Sequence, residues 1–298
     1  MAGAGQFSYV VFPRQQKRRR TVDLAARVEV ASPRGDGSTL LDERSAKFVA
    51  WLLSQEGLDW RILRKCPLKR RLPACLRALR VASPEAARKL LEKDPARIPQ
   101  ALSVMLLGVT ELFRDQRVFD DLAQLLPGLL NGRAGLRVWS AGCSDGAELY
   151  SLAMLLAERN ALAGSYCLGT DCRREAIGRA REGVFSASSA ARMAASLRTK
   201  YLDPLGDAWK ARSLLRGAIQ WQVADITRLA EPGYWDIVLC RNTAMYFECE
   251  VAHALFRTLE QSLRPGGLLV VGKAERPNRG QRFDFVAPSI YRRLSNAA

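Results

Sequence analysis

Two glycines four residues apart, Gly142 and Gly146, bracket Cys143, Ser144 and Asp145 in the stretch VWSAGCSDGAELYS (138–151). Two chemistries fit those letters. G-x-S-x-G is the spacing of a nucleophile elbow, in which Ser144 would attack an acyl group. A glycine-rich turn between strand and helix also cradles nucleotide-like cofactors, because backbone N–H groups converge there. A serine or cysteine nucleophile normally needs a histidine base. The chain has one histidine, His253, far downstream in a helical pattern with Val251, Leu255 and Leu259, and it reads as a helix-face residue. The cradle is therefore favoured, with Ser144 as a turn residue.

Acidic and polar residues close the β-rich runs that follow. Asp171 ends SYCLGTD (165–171), Asp225 ends IQWQVAD (219–225), and Arg241-Asn242 end WDIVLCRN (235–242). An acid that closes the second strand after a glycine loop is placed to accept from a ribose diol. The loop lacks the third glycine of the dinucleotide pattern, and Glu148 stands where a pyrophosphate would lie. A carboxylate repels phosphate and suits an ammonium. S-adenosylmethionine, with a ribose diol, no phosphate and an amino-acid tail, meets these conditions.

The elements that must position these residues follow from periodicity. LRVWSA (136–141) and GLLVVGKAE (267–275) complete the β-rich runs, and AELYSLAMLLAERNA, REAIGRAREGVF and ECEVAHALFRTLEQSL supply helical patterns between runs. This alternation predicts an open, mostly parallel α/β sheet with its ligand beyond the strands' carboxyl ends. Upstream, Phe48, Trp51 and Leu52 share one helical face, and Ala86, Ala87, Leu90 and Leu91 another. Ser83 is the expected N-cap of the second, with Pro84 its first helical residue. ALSVMLLGVTELF is a further apolar segment. Residues 1–42 read as a flexible basic leader containing ASPRGDGST, with a short strand at SYVVF or ARVEV.

Composition narrows the classes. At 298 residues and 48% hydrophobic content a sizeable core can be buried. No apolar run is long enough to cross a membrane, and the start lacks the charge-then-apolar order of a signal peptide. Seven cysteines with no C-x-x-C pair read as reduced, cytoplasmic thiols rather than disulfides or a metal site. A net charge of +16, with clusters at Arg14–Arg20 and between Arg61 and Arg80, implies acidic partners.

VTELFRD (109–115), SAGCSDGAELYSLAM (140–154), GTD (169–171), CRNTAMYF (240–247) and PSIYRR (288–293) occur in one order. Together they resemble the signature segments of the CheR-type chemotaxis-receptor glutamate methyltransferases, over roughly residues 45 to 293. The resemblance implies a Rossmann-like S-adenosylmethionine-dependent methyltransferase sheet (115–298), preceded by a small all-α receptor-docking domain (43–114) and carrying a short β insert at about 198–218. It implies catalytic roles for Arg114 and Tyr246. Cofactor contacts are implied at Thr110, Arg114, Gly142, Gly146, Glu148, Asp171, Asp225, Ile226, Arg241 and Asn242. The implied partners are acidic cytoplasmic helices of chemoreceptors, met by a monomer that needs no metal.

That chemistry suits a chain poor in histidine. A glutamate side chain, with a pKa of about 4.3, is already a nucleophile at neutral pH. Attack on a sulfonium methyl then needs positioning and dehydration, not proton abstraction. Departures from the family pattern touch the site: Gly108 for Asn, Leu112 for Phe, Ala147 for Glu, Leu149 for Pro, Cys172-Arg173 for Ile-Asp, Asp225 for Asn, and Lys273-Ala274-Glu275 for His-Ser-Glu. Pro73, after Lys69-Arg70-Arg71, predicts that the arginine-bearing helix begins near Leu72. Two other readings stay open: a non-catalytic adaptor on the same fold, and a nucleic-acid methyltransferase suggested by charge. Against the latter, Arg-Asn-Thr-Ala stands where base-amine enzymes hold an N/D-P-P-Y/F loop, and no basic platform interleaved with aromatics is evident.

Overall fold

Strands buried on both faces read as near-continuous apolar runs, and the central strands here do so. The computed structural model describes residues 20–21, 41–106, 111–230, 235–277 and 282–295. The chain passes through β1 (Arg20–Thr21), α1 (Glu43–Ser54), α2 (Lys65–Leu79), α3 (Pro84–Lys93), α4 (Ile98–Leu106) and α5 (Gln116–Leu130). There follow β2 (Arg137–Ala141), α6 (Ala147–Glu158), β3 (Tyr166–Asp171), α7 (Arg174–Glu182), β4 (Val184–Ser186), α8 (Ala187–Ala190) and α9 (Ala195–Tyr201). Then come β5 (Leu202–Leu205), β6 (Ala208–Ala211), α10 (Ser213–Ala218), β7 (Ile219–Val223), β8 (Leu229–Ala230) and β9 (Trp235–Cys240). The last elements are α11 (Cys249–Ser262), β10 (Leu263–Val271), β11 (Phe283–Ala287) and β12 (Ile290–Arg293).

The principal sheet has the order β11-β12-β10-β9-β2-β3-β7. Strands β7, β3, β2, β9 and β10 run parallel; β12 is antiparallel to β10, and β11 to β12. Chain order reverses between β2 and β9, which is the switch point where doubly wound sheets bind ligands. This is the Rossmann-like sheet that the alternating pattern predicts. All six residues of β9 are buried. Trp139, Val238, Cys240, Leu269 and Val271 face a core shared with α1–α4 and α11. Their neighbours Val138, Ile237, Leu239, Leu268 and Val270 face α5, α6, α10 and the small insert. The period of two in side-chain direction thus divides one sheet between two cores.

Local chemistry sets the boundaries. Ser83 Oγ accepts from the Ala86 N–H at 3.2 Å and Pro84 opens α3, as expected; such a cap contributes about 1 kcal/mol. Helix α2 begins at Lys65 and runs through Pro73, which corrects the expected start near Leu72. Pro73 lies on the exposed face, where water can replace the one missing main-chain bond. Gly183, at φ +64°, ends α7. Val184 and Phe185, expected as that helix's tail, therefore belong to β4. Strands β4, β6 and β5 form a separate antiparallel sheet. The expected insert, 198–218, takes in β5, β6 and α10, while β4 lies upstream of it. The expected strands at SYVVF and ARVEV, together with Gly108 and Thr110, lie outside the described residues.

Candidate active site

The carboxyl ends of the parallel strands open on a cavity of about 410 Å³. Each element end delivers something to it. Arg114 and Asp115 come from the turn before α5, Gly142 and Ser144 from the loop after β2, and Asp171, Cys172 and Arg173 from the end of β3. Asp225 and Ile226 follow β7; Arg241, Asn242 and Tyr246 follow β9; Lys273 follows β10. The helical region closes one side with Leu58, Leu63 and Leu106. Arg114, Gly142, Asp171, Asp225, Ile226, Arg241, Asn242 and Tyr246, far apart in sequence, are thus brought together. Gly146 and Glu148 are not among the lining residues.

Gly146 shows why. It leads into α6 at φ +85°, and an added Cβ would lie 2.3 Å from Trp221 Cη2. A Cβ on Gly169 would meet the same ring at 2.3 Å, and Gly169 is the register partner of Trp221 across β3 and β7. The two glycines let an indole lie flat beneath the loop. Gly142, at φ +78°, instead leaves room for the Thr243 side chain, which an added Cβ would approach to 2.8 Å.

At the ends of β3 and β7, Asp171 accepts the Ser144 N–H at 2.9 Å on Oδ2 and the Arg173 N–H at 2.9 Å on Oδ1. The Arg173 guanidinium adds a buried ion pair, Nε to Oδ1 at 3.1 Å. Asp225 closes an Asx turn, its Oδ1 accepting from Thr227 N–H at 2.9 Å and Thr227 Oγ1 at 2.8 Å. Its Oδ2 lies 3.6 Å from Arg228 Nε.

On the opposite side, Arg241 is the hub. Its Nη2 donates to the Arg114 carbonyl and to Asp115 Oδ2, both at 2.9 Å. Its Nη1 lies 3.9 Å from Glu148 Oε2, and its guanidinium carbon sits 5.4 Å from the Phe119 ring centroid. Glu148 also accepts from Ser140 Oγ at 2.6 Å. Burial pushes the Glu148 carboxyl above its ordinary range, with Arg241 and Ser140 opposing that rise. Glu148, expected from the sequence to face a ligand ammonium, is held from the protein side by Arg241 and Ser140. Asp115 behaves oppositely. Burial works against its charge, yet the bonded Lys273 ammonium, at 2.7 Å, and Arg241 hold it below the usual range.

The segment carrying Tyr246 is clamped by an acid to which the sequence gave no role. Glu275 is 5% exposed and accepts four backbone N–H groups: Asn242 and Gly272 at 2.7 Å, Thr243 at 2.8 Å and Met245 at 3.0 Å. Asn242 sits at φ +55°, a left-handed conformation that Asn tolerates. From the other side, Arg64 N–H donates to the Tyr246 carbonyl at 2.8 Å and Arg64 Nε to the Phe247 carbonyl at 2.9 Å. Leu63 and Phe247 form a one-residue antiparallel bridge. The helical region thus touches the site through main-chain bonds as well as apolar contact.

Alternative nucleophiles fail on these contacts. Ser144, at φ +53°, accepts Arg173 Nη2 at 3.0 Å on its Oγ. His253 lies on α11, where its Nε2 meets Cys249 Sγ at 3.4 Å. Burial, reinforced by Asp171, holds the Cys143 and Cys172 thiols well above their usual range, so neither supplies a thiolate. The hydrolase reading of the glycine loop has no support here.

Glu275, Arg173, Trp221 and Arg64 are the site residues whose roles sequence reasoning missed. A signal existed for two of them. Glu275 follows β10, whose last five residues are all buried, and a lone acid past such a run is placed for backbone capture. Trp221 stands among glycines that only a bulky cross-strand neighbour explains.

A switch-point cavity with two acids at strand ends suits an adenosine-bearing cofactor. Residues 108–291 match the family described as CheR methyltransferase, SAM binding domain. The chain belongs to that family. A chemotaxis protein methyltransferase of Listeria monocytogenes is 32% identical over 223 residues, 74% of this chain and 84% of that protein. Chemotaxis protein methyltransferase 1 of Pseudomonas aeruginosa is 31% identical over 189 residues, 59% of this chain and 69% of that protein. A chemotaxis protein methyltransferase of Borreliella burgdorferi is 27% identical over 197 residues, 62% and 70% of the respective chains.

Proposed function

We propose that the chain methylates glutamate side-chain carboxylates on acidic cytoplasmic helices of chemoreceptors, forming methyl esters. One observation carries this reading. Arg114 and Tyr246, a cation and a phenol, share a cavity with the two acids that suit an adenosine, Asp171 and Asp225. The donor set fits S-adenosylmethionine: Asp171 can accept from a ribose, Asp225 from an exocyclic amine, and Ile226 offers an apolar face. When bound, the cofactor supplies an electrophilic methyl group on sulfur.

The remaining work belongs to the chain. Arg114 orients the incoming carboxylate and partly neutralises it, and Tyr246 donates a hydrogen bond beside it. Leu58, Leu63, Leu106 and Phe247 line the same space and strip water from the nucleophile. No base is required, because the attacking group is ionised at neutrality. The exposed cations Lys69, Arg70 and Arg77 on α2, with Arg80 at its C-cap, make the helical domain attractive to acidic helices and speed encounter. The relatives' names, chemotaxis protein methyltransferases, agree with such a substrate.

Incubation with methyl-labelled cofactor and receptor cytoplasmic fragments tests the proposal. Base-labile label released as methanol is the expected result. Cofactor binding without transfer would point to the adaptor, and base-stable label on nucleic acid to the third reading.

A further inference from the structure

Beside the acid placed for the ribose stands a guanidinium, Arg173, where the family motif has a carboxylate. Its side chain is 9% exposed and forks onto Asp171, with Nε 3.1 Å from Oδ1 and Nη2 3.4 Å from Oδ2. The main-chain N–H groups of Arg173 and Ser144, each at 2.9 Å, hold the same two oxygens from other directions. A carboxylate offers about four lone-pair positions. All four are taken. Arg173 Nη2 is shared with Ser144 Oγ at 3.0 Å, and Nη1 is buried without a hydrogen-bond partner.

To a carboxylate, a vicinal diol and one edge of a guanidinium present the same thing: two hydrogen-bond donors side by side. We infer that Arg173 is an internal competitor for the cofactor's ribose, occupying the face of Asp171 that the diol requires and thereby setting cofactor affinity. This rests on the proposed placement of the ribose at Asp171. Release needs only side-chain rotation, because the two residues are separated by one position in the chain. The two main-chain N–H groups keep Asp171 aimed while the guanidinium leaves. The competitor thus lowers affinity without disordering the site.

Calorimetric titration of the full chain with S-adenosylhomocysteine tests this. Arg173→Ala is expected to bind at least about tenfold tighter than the parent, the equivalent of one charge-assisted hydrogen bond. A 2′,3′-dideoxy analogue of the same compound should bind parent and variant alike. Unchanged or weaker binding by a variant with native circular dichroism overturns the inference, as does a gain that persists with the dideoxy analogue. If Arg173→Ala does not fold, Arg173→Lys, which keeps the charge but cannot fork, is titrated with the same expectation and the same overturning outcomes. Asp171→Ala separates the two levels. If it leaves affinity unchanged, the ribose placement falls and the competitor with it. If it abolishes binding while Arg173→Ala gains nothing, the competitor alone falls.

Discussion

The two sides of the cavity are built differently. Around Arg114 and Tyr246, groups distant in sequence are tied together: Glu275 to Asn242, Thr243 and Met245, Arg241 to Asp115 and Arg114, and Arg64 to Phe247. Around Asp171 and Asp225 the acids are occupied mostly by near neighbours, Asp171 by Arg173 and Asp225 by Thr227. Ties between separate elements restrain geometry, because several of them hold one segment at once and releasing one leaves the others in place. Ties between neighbouring residues can be exchanged by rotating one side chain. The chain thus keeps the side of Arg114 and Tyr246 rigid and leaves the side of Asp171 and Asp225 exchangeable; under the proposed function the rigid side is the one where preorganisation is rewarded.

Breaking the rigid side should have the largest effect. Glu275→Ala strands four backbone donors and should destabilise the fold by about 3–5 kcal/mol, read by denaturant unfolding; a loss below 1 kcal/mol would mean that the clamp is not structural. Next comes the loop between the two sides. Gly146→Ala meets both a left-handed backbone and the Trp221 ring, and should lower stability by about 1–3 kcal/mol. Arg64→Ala removes one side-chain bond to the Tyr246 segment while keeping the main-chain bond. Its expected outcome is a kcat lowered by about fivefold, the worth of about 1 kcal/mol, with S-adenosylhomocysteine affinity unchanged. A matching loss of affinity would show that the two sides are not separable.

The smallest effect is one of pH. Glu148 has a folded pKa raised above the ordinary 4.5, chiefly by burial, so the folded state binds its proton more tightly than the unfolded chain. Its stabilising contribution is full below the unfolded value and is lost as pH rises through the folded one. Glu148→Gln stays neutral throughout, so its stability relative to the parent should improve as pH rises above the ordinary 4.5 in chemical denaturation. Asp115, shifted the other way, is expected to add stability above its unfolded value and to lose it as pH falls through the folded one. A Glu148→Gln profile parallel to the parent's would remove Glu148 from the group of buried supports.

Most of the frame was legible because it depends on periodicity. The five parallel strands were foreseen from apolar runs ending in Ala141, Asp171, Asp225, Asn242 and Glu275, and their ends carry the site. The boundaries that slipped have local causes. Gly183 cut a helix short and released β4, and exposure let Pro73 remain inside α2. In the site, residue types at strand ends were readable, but their partners were not. Nothing in a one-dimensional pattern shows that Glu275 caps the segment starting 33 residues earlier, or that Arg241 lies 3.9 Å from Glu148. Arg173 was visible as an added charge; its fork onto Asp171 required the folded loop.

The bridge between Leu63 and Phe247 has a consequence for modularity. Three apolar walls of the cavity, Leu58, Leu63 and Leu106, belong to the helical segment, and that segment shares a core with the sheet. An excised α/β unit would keep its glycine loop and its acids yet lose the roof over its reactive centre. The helical segment and the wall of the cavity are therefore one indivisible piece of chain.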